Sequence, residues 1–288
     1  MAINRKINFL SSLVVVICFL VIAGIFVYCL EAKVVVNKIS DPNVINLPQA
    51  LKQRLISDPD SELLYIDYHD RKLEYFFISH NTVRVKVILR VLRKIIISLN
   101  NDIPEGHYLL VLRDALPHPY EVPVLAFASH KKYLESKDVI LIPDTFALND
   151  YQRLFRSIGK ARLKFPWYKK EAKVFIRGSA TGAGIANNDI NGFPRLRFMN
   201  YVKDIDIVDA AFTDYTRQYN QDFLQKLSTL HPLKPYTKPH NSLQYKYLID
   251  IDGNTCSYSR MAWILYSNSL LLKHTSDQVQ WYYHMLKP

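Results

Sequence analysis

Residues 245–260 read YKYLIDIDGNTCSYSR and contain the clearest signal of the fold class. The run YKYLID is apolar and aromatic, as in a buried strand, and the following IDGN supplies a turn. We predict a helix directly afterwards, over residues 258–267. A strand, a polar turn and a helix in this order are typical of α/β proteins, in which ligands bind beyond the carboxyl ends of the strands.

Strands and helices alternate on both sides of this stretch. The predicted strands are 107–114, 122–129, 138–144, 172–179, 204–212 and 269–274, and the predicted helices are 150–158, 218–230 and a closing helix at 276–286. This order predicts an α/β fold with parallel sheets, in which residues 160–173 form a linker between two sheet units. Upstream, the apolar runs 63–68 and 73–79 flank a polar turn and predict a β-hairpin.

Composition excludes several classes of protein. The 288 residues are 49% hydrophobic, which excludes a disordered chain. The cysteines are Cys18, Cys29 and Cys256, so the part after residue 30 cannot form an internal disulfide and is not a disulfide-stapled secreted domain. The net charge of +11 fits nucleic acid, an anionic membrane or an acidic substrate. No nucleic-acid-binding module is recognisable, and we predict no nucleic-acid partner.

The amino-terminal segment has the properties of a membrane anchor. Residues 9–30 form an uncharged run of 22 residues, and about 20 apolar residues suffice to cross a bilayer. A signal peptide would have a shorter apolar region and a small-residue cleavage site, so we predict an uncleaved transmembrane helix. Residues 1–8 are then a short basic terminus and 31–46 a stalk. Basic residues are nearly balanced on the two sides, which leaves the orientation open.

Residues 82–99 predict an amphipathic helix with one basic face. Its apolar residues fall on one side, and four basic residues fall on the other: Lys86, Arg90, Arg93 and Lys94. One interpretation is a helix packed on the core with a solvated basic face. The other is a helix that lies at an anionic membrane surface or contacts a sugar-phosphate acceptor.

Three predicted strand ends carry polar groups that could perform chemistry. At the first, Asp114 could remove a proton from a substrate hydroxyl, or it could form a cap or salt bridge. The second is the stretch RGSATGAG at 177–184, followed by Arg195 and Arg197. Small residues allow backbone amides to approach an anion, which indicates a phosphate site or an ordinary surface loop. The spacing does not match a P-loop.

The third strand end contains an Asp-x-Asp pair. Asp250 and Asp252 precede Gly253, and Ser257 and Arg260 follow. Two carboxylates at this spacing could bind a divalent metal, although the EF-hand pattern fails. Alternatively the segment is a tight turn. None of the nine histidines has a metal-ligand spacing such as HExxH.

Taken together, these motifs resemble glycosyltransferase family 90. The similar segments are LRDALP at 112–117, FIRGS at 175–179, the opening stretch at 245–260, and SLLLKH and WYYHMLKP at 269–288. The family includes bacterial lipopolysaccharide-modifying glycosyltransferases, fungal capsule-associated xylosyltransferases and protein O-glucosyltransferases. The resemblance covers about residues 60–288. Members continue past the final LKP, so this chain has either a truncated or a naturally short carboxy-terminal domain.

The resemblance implies a GT-B architecture of two Rossmann-like domains. We expect an acceptor domain at 47–160 and a UDP-sugar-binding domain at 161–288. It also implies inverting transfer from a UDP-sugar without an obligatory metal or other cofactor.

By the same resemblance, individual residues receive roles. Asp114 is the expected general base on the acceptor hydroxyl. Ser179 contacts the diphosphate, and Arg195 and Arg260 neutralise the departing UDP, with Arg197 as a rival for the first arginine. The full expected donor-binding set is Arg177, Gly178, Ser179, Arg195, Asp252, Gly253, Ser257 and Arg260.

The expected function is therefore transfer of a sugar, with glucose as the first choice, from a UDP-sugar to lipopolysaccharide or another envelope glycan. The enzyme would be anchored in the membrane, with its catalytic part on the cytoplasmic face of a bacterial inner membrane. One alternative is a metal-dependent glycosyltransferase that uses Asp250 and Asp252. Another is a non-catalytic, membrane-anchored protein that binds glycan or anionic lipid.

Overall fold

A computed structural model provides the structure of the chain. It describes residues 35–58, 62–70, 72–78, 80, 82–98, 104–114, 116, 118, 120, 122–135, 138–149, 151–182, 192–216 and 219–286, with only the backbone at 94–98 and 148–149. The predicted transmembrane helix at 9–30 lies outside these ranges. No helix within them is both long and apolar enough to span a bilayer.

The chain divides into two compact units, with the boundary between Tyr108 and Leu109. This division differs from the predicted domain boundary after residue 160. The reason is that residues 109–160 make contacts with the carboxy-terminal sheet region. For example, the Lys131 amide donates to the Asp277 carbonyl at 2.8 Å, and the rings of Phe155 and Tyr266 stack at 4.8 Å.

The first unit is built around a β-hairpin. Its elements are β1 (Val35–Lys38), α1 (Gln49–Ser57), β2 (Leu63–His69), β3 (Lys72–Phe76), α2 (Thr82–Ser98) and the start of β4 (Gly106–Val111). Strands β2 and β3 are antiparallel, with His69 opposite Lys72. The turn begins at Asp70, whose φ of 48° suits a tight two-residue hairpin turn. The predicted hairpin is confirmed.

The segment predicted as a stalk, 31–46, contains β1. This strand pairs in parallel with β3, with Val36 opposite Leu73. The pairing satisfies backbone groups of β1 that a solvated stalk would leave to water. Residues 35–38 therefore belong to the folded unit.

The amphipathic helix predicted at 82–99 is confirmed as α2. Val85 and Ile88 are buried, whereas Lys86, Arg90 and Arg93 are exposed. The apolar face thus packs on a core, and the basic face points to solvent.

The second unit contains the remaining elements. They are the end of β4, then β5 (Val124–Ala126), β6 (Ser129–His130), α3 (Lys131–Leu134), β7 (Val139–Leu141), α4 (Thr145–Asn149), α5 (Tyr151–Lys164), β8 (Glu171–Ala180), α6 (Pro194–Val202), β9 (Val208–Tyr215), α7 (Gln221–Leu230), α8 (Pro239–Ser242), β10 (Tyr245–Asp250), α9 (Ser259–Tyr266), β11 (Leu270–Lys273) and β12 (Gln278–Val279). Strand β5 is parallel to both β4 and β7.

The carboxy-terminal part of this unit is a four-stranded parallel sheet in the order β11-β10-β8-β9. Both faces are covered, because alternate residues of a strand point to opposite sides. Ile176 packs on one side with Leu196 and Phe223, and its neighbour Phe175 packs on the other with Trp263. The α/β class with parallel sheets is confirmed.

The closing helix predicted at 276–286 is wrong. Gln278–Val279 instead form β12, which pairs antiparallel with β6, and a single 3₁₀ turn follows at Tyr283–Met285. The pairing provides a partner for backbone groups that a helix would satisfy internally.

Candidate functional site

The candidate site lies where the strand order of the four-stranded sheet reverses. From β8 the chain proceeds to β9 on one side, and then crosses to β10 on the other side. The carboxyl ends of β8 and β10 therefore flank a topological switch point, which is the usual ligand site of an open α/β sheet. Gly178 and Ser179 lie at the end of β8, and Gly253 follows β10.

Arg260 reaches this point from the first turn of α9. Its Nη2 donates a 2.8 Å hydrogen bond to the carbonyl of Arg177. A Cβ atom on Gly178 would lie only 2.7 Å from the same Nη2. The absence of a side chain at Gly178 thus leaves the space that the Arg260 guanidinium occupies.

Arg195 approaches from α6 and links the ends of the two strands. Its side chain is buried; Nε donates to the Ile251 carbonyl at 3.2 Å, and Nη1 donates to the Ser179 carbonyl at 3.0 Å and to Thr181 Oγ1 at 2.8 Å. A Cβ on Gly253 would come within 3.0 Å of Arg195 Nη2. Each arginine is therefore matched by a glycine that makes room for it.

The two guanidinium groups repel each other in a buried setting. Burial and the charge of Arg260 lower the pKa of Arg195 to about 9, against the opposing effect of Asp250 and Asp252. Burial also lowers the pKa of Arg260, again opposed by Asp250. Buried cations of like charge are costly unless an anion pairs with them. The site is thus electrostatically suited to a bound anion.

Two donors in the site have no hydrogen-bond partner within the described ranges. They are Nη1 of Arg260 and the hydroxyl of Ser257, and both atoms are buried. Both residues line a cavity of about 190 Å³, together with Arg195. Buried polar groups normally have partners, so these donors indicate a place for acceptor atoms of a ligand. The aromatic side chains of Phe175 and Trp263 also line this cavity.

The Asp-x-Asp pair is engaged by a lysine. Lys273 lies on β11 opposite Asp250 of β10. Its Nζ is 3.2 Å from Asp250 Oδ2 and donates a hydrogen bond to Asp252 Oδ1, while the Ser276 hydroxyl donates to Asp252 Oδ2. Burial alone would lower the pKa of Lys273, but the two carboxylates outweigh it and raise that pKa above its ordinary value. An ammonium ion thus bridges the two carboxylates that a metal would need.

The side chain of Arg177 points away from this site. Its Nη2 contacts both carboxylate oxygens of Asp209, at 2.8 and 2.9 Å, and Lys234 Nζ contacts Asp209 Oδ1 at 2.9 Å. These pairs outweigh the effect of burial and lower the pKa of Asp209. Arg177 contributes its main-chain carbonyl to the site, and its guanidinium serves an ion pair. Of the rival arginines, Arg195 is buried in the site, and Arg197 is exposed.

Asp114 is tied to the segment that carries Arg260. It follows β4, is half-buried, and its main-chain carbonyl accepts a hydrogen bond from the hydroxyl of Tyr258. Tyr258 caps the amino end of α9 with a φ of 48°, an uncommon value for an aromatic residue. This contact connects the backbone of the expected base to the helix that presents Arg260.

Sequence reasoning missed Thr181, Tyr258 and Lys273. Each lies inside or beside a motif that did attract notice, but its partner is remote in sequence. Lys273 had a usable signal, because it ends an apolar strand as a lone charge. For the other two, only the fold shows the contact.

Comparison with known families and proteins agrees with the resemblance. The sequence profile of "Glycosyl transferase family 90" matches residues 119–288. A search of curated proteins finds no match. The matched range contains the whole four-stranded sheet and every predicted donor-binding residue, and it covers more than half of the chain. On this evidence the chain belongs to glycosyl transferase family 90.

Proposed function

We propose that the chain is an inverting, GT-B-type glycosyltransferase that moves a sugar, with glucose as the first candidate, from a UDP-sugar to lipopolysaccharide or another envelope glycan. The observation that supports this best is the pair of buried arginines at the switch point. Both line a cavity, and one of them, Arg260, has a buried donor without a partner among the described residues. A glycosyl transfer that releases UDP requires a diphosphate site of this kind.

In this proposal the diphosphate binds against Arg260 and Arg195. The unpartnered Nη1 of Arg260 and the Ser257 hydroxyl donate to phosphate oxygens. Because Gly178 and Gly253 have no side chains, the guanidinium groups of Arg260 and Arg195 can lie directly against the strand ends where the diphosphate would bind. The positive charges stabilise the negative charge that grows on UDP as it departs, and this is the main electrostatic demand of the reaction.

Asp114 is proposed as the general base. It removes the proton of the acceptor hydroxyl while the oxygen attacks the anomeric carbon, and the bond from that carbon to UDP breaks with its electron pair leaving on the diphosphate. A single displacement of this kind inverts the anomeric configuration. The bond from Tyr258 to the Asp114 carbonyl would hold the base in position relative to the donor site.

We propose further that the reaction needs no bound metal. The ammonium of Lys273 bridges Asp250 and Asp252, so a cation at the Asp-x-Asp pair would have to displace it. The arginines supply the positive charge that a metal supplies in other transferases. The rival metal-dependent mechanism predicts that a chelator stops turnover, whereas this proposal predicts that turnover continues.

Membrane attachment is part of the proposal. Residues 9–30 would anchor the chain, and the exposed Lys86, Arg90 and Arg93 of α2 would face anionic lipid or an anionic acceptor. Because only Cys256 follows the anchor, a catalytic part on the reducing cytoplasmic face of a bacterial inner membrane fits the sequence.

A panel of UDP-sugars tests the proposal, with released UDP and glycan product as readouts. The variant is Asp114→Asn, and its matched control is Asp204→Asn, whose side chain is 86% exposed. General-base loss lowers turnover by about 10²–10⁴-fold, and UDP affinity should not change. Turnover of Asp114→Asn at the wild-type rate would contradict the assigned base. If the wild-type chain bound no UDP, the donor-site proposal would be wrong.

A further inference from the structure

The geometry points to a divalent-metal site in the first unit, formed by Asp67 and His69 of β2 and His107 of β4. The site does not rest on the proposed sugar transfer. His107 lies at the amino end of β4, whereas Asp114 follows its carboxyl end. No spacing rule would have found it, because His107 is distant in sequence from the other two residues.

The strand geometry brings the three side chains together. Asp67 and His69 are two residues apart on β2, so both point to the same face of the strand. One potential ligand atom from each of the three residues lies within 4.8 Å of the other two. The side chains of His69 and His107 are 51% and 35% exposed, which gives an ion access from solvent.

The distances fit a tetrahedral metal centre. With bonds of about 2.0–2.1 Å, two ligands of a tetrahedral zinc ion are about 3.3 Å apart. Asp67 Oδ1 lies 3.0 Å from His69 Nε2 and 3.4 Å from His107 Nδ1. The two imidazole nitrogens lie within 4.8 Å of each other and would move closer together on binding an ion.

Asp67 Oδ1, the oxygen that lies near both imidazoles, receives no hydrogen bond from the described residues. This oxygen is buried, although two imidazole nitrogens are close. A buried carboxylate oxygen without a donor is unusual. A cation placed between it and the two nitrogens would satisfy all three atoms.

Glu105 is placed as an outer partner of the site. Its Oε2 lies 3.5 Å from His69 Nδ1, on the side of the ring opposite to the proposed metal-binding nitrogen. Its Oε1 accepts a 2.8 Å hydrogen bond from the Asp70 amide, which fixes the carboxylate. Histidines that bind metals commonly donate a hydrogen bond from their second nitrogen to a carboxylate, and Glu105 lies on the side of His69 where it can accept one.

One existing hydrogen bond competes with the metal. The hydroxyl of Tyr65 lies 2.8 Å from Nδ1 of His107. When Nδ1 carries no proton, which is the form that can bind a metal, the hydroxyl donates its hydrogen bond to this nitrogen. Binding through Nδ1 breaks this bond, and Tyr65→Phe should therefore bind the metal more tightly than the wild-type chain.

Two imidazoles and one carboxylate select a first-row divalent metal such as Zn²⁺ over Mg²⁺ or Ca²⁺. The ion would connect the end of β2 to the start of β4. Because the unfolded chain does not preserve this arrangement, binding should stabilise the fold.

The test uses the full-length chain and Zn²⁺ alone, followed by calorimetric titration and thermal unfolding. Co²⁺ serves as a spectroscopic probe, because a four-coordinate site absorbs visible light more strongly than the hydrated ion. We expect one saturable site and a higher melting temperature with Zn²⁺. Glu105→Gln should weaken binding by about tenfold or more.

The variants are His69→Gln and His107→Gln, and the control is His80→Gln, an exposed histidine of the same unit. The first two should lose the site, and the control should retain it. Circular dichroism without metal checks that each variant is folded. Equal Zn²⁺ affinity in folded His69→Gln and wild type would overturn the proposal, as would the absence of saturable binding in the wild-type chain.

Discussion

Replacing Gly178 with alanine tests whether the position of Arg260 controls UDP binding. The new methyl carbon would lie 2.7 Å from Arg260 Nη2 and 3.4 Å from Nη1. Ordinary carbon contacts are at about 3.5 Å or more, so the guanidinium must retreat by about 0.8 Å. The backbone itself tolerates alanine, because Gly178 is not among the described residues with positive φ.

The size of the effect on UDP affinity follows from how the retreat displaces the Arg260 guanidinium. The hydrogen bond from Nη2 to the Arg177 carbonyl is 2.8 Å long. A movement of about 0.8 Å along the bond lengthens it to about 3.6 Å, which no longer counts as a hydrogen bond. The same retreat carries Nη1 of Arg260 away from the phosphate oxygen to which it is proposed to donate. A hydrogen bond of a charged group contributes about 1.5–3 kcal/mol. Since 1.4 kcal/mol corresponds to about tenfold in Kd, UDP affinity should fall by about tenfold or more.

The assay is calorimetric titration of UDP into purified wild type, Gly178→Ala and the control Gly159→Ala. Gly159 lies inside α5, where an added Cβ meets only Tyr266 Oη at 3.6 Å. This control should bind UDP normally and gain about 0.5–1 kcal/mol in stability, because glycine is unfavourable within a helix. If folded Gly178→Ala bound UDP as tightly as wild type, the diphosphate would not lie against Arg260.

Three further predictions concern the buried Lys273, the hydrogen bond from Tyr258 to Asp114, and the buried Lys170. Lys273→Met removes the ammonium ion that pairs with Asp250 and Asp252, and the unfolding free energy should fall by about 3–5 kcal/mol. Lys203→Met, at an exposed lysine, should change the unfolding free energy little. A Lys273→Met protein as stable as wild type would show that the pairs are weak. Tyr258→Phe removes the donor to Asp114 and should lower the rate of transfer by up to about tenfold with unchanged UDP affinity; an equal rate would mean that the bond does not position the base. Burial lowers the pKa of Lys170 from 10.5 to about 8, so the unfolded chain binds more protons between these values and the unfolding free energy should rise with pH across that window. Urea denaturation of Lys170→Met should show a smaller rise, and an identical pH dependence would contradict the shift.

Local patterns were sufficient to predict most elements of the second unit. The strand at 172–179 and the helix at 258–267 correspond to β8 and α9, because apolar runs bounded by polar turns reflect burial on both sides of a parallel sheet. The segment 276–286 failed, since the pairing of β12 with β6 depends on a strand far away in the chain. Pairing of that kind leaves no local periodic signal.

The candidate site also combines features that the sequence predicts with features that only the structure shows. Sequence motifs, together with the family resemblance, identified the polar strand ends and named Arg195, Gly253 and Arg260 as candidates. They could not separate Arg195 from Arg197, nor show that Asp209 engages the guanidinium of Arg177. They also gave no sign that Lys273 bridges Asp250 and Asp252.

The residue types and the order of strands and helices follow from the amino-acid sequence, because hydrophobic periodicity and turn chemistry act over a few neighbouring residues. The partners of the charged side chains follow from the folded chain alone. Arg260 meets the carbonyl of Arg177 across 83 positions of sequence, and this meeting requires β8 and α9 to assemble beside the same sheet. Whether a charge binds a ligand, completes an ion pair or faces water therefore depends on burial and on remote neighbours.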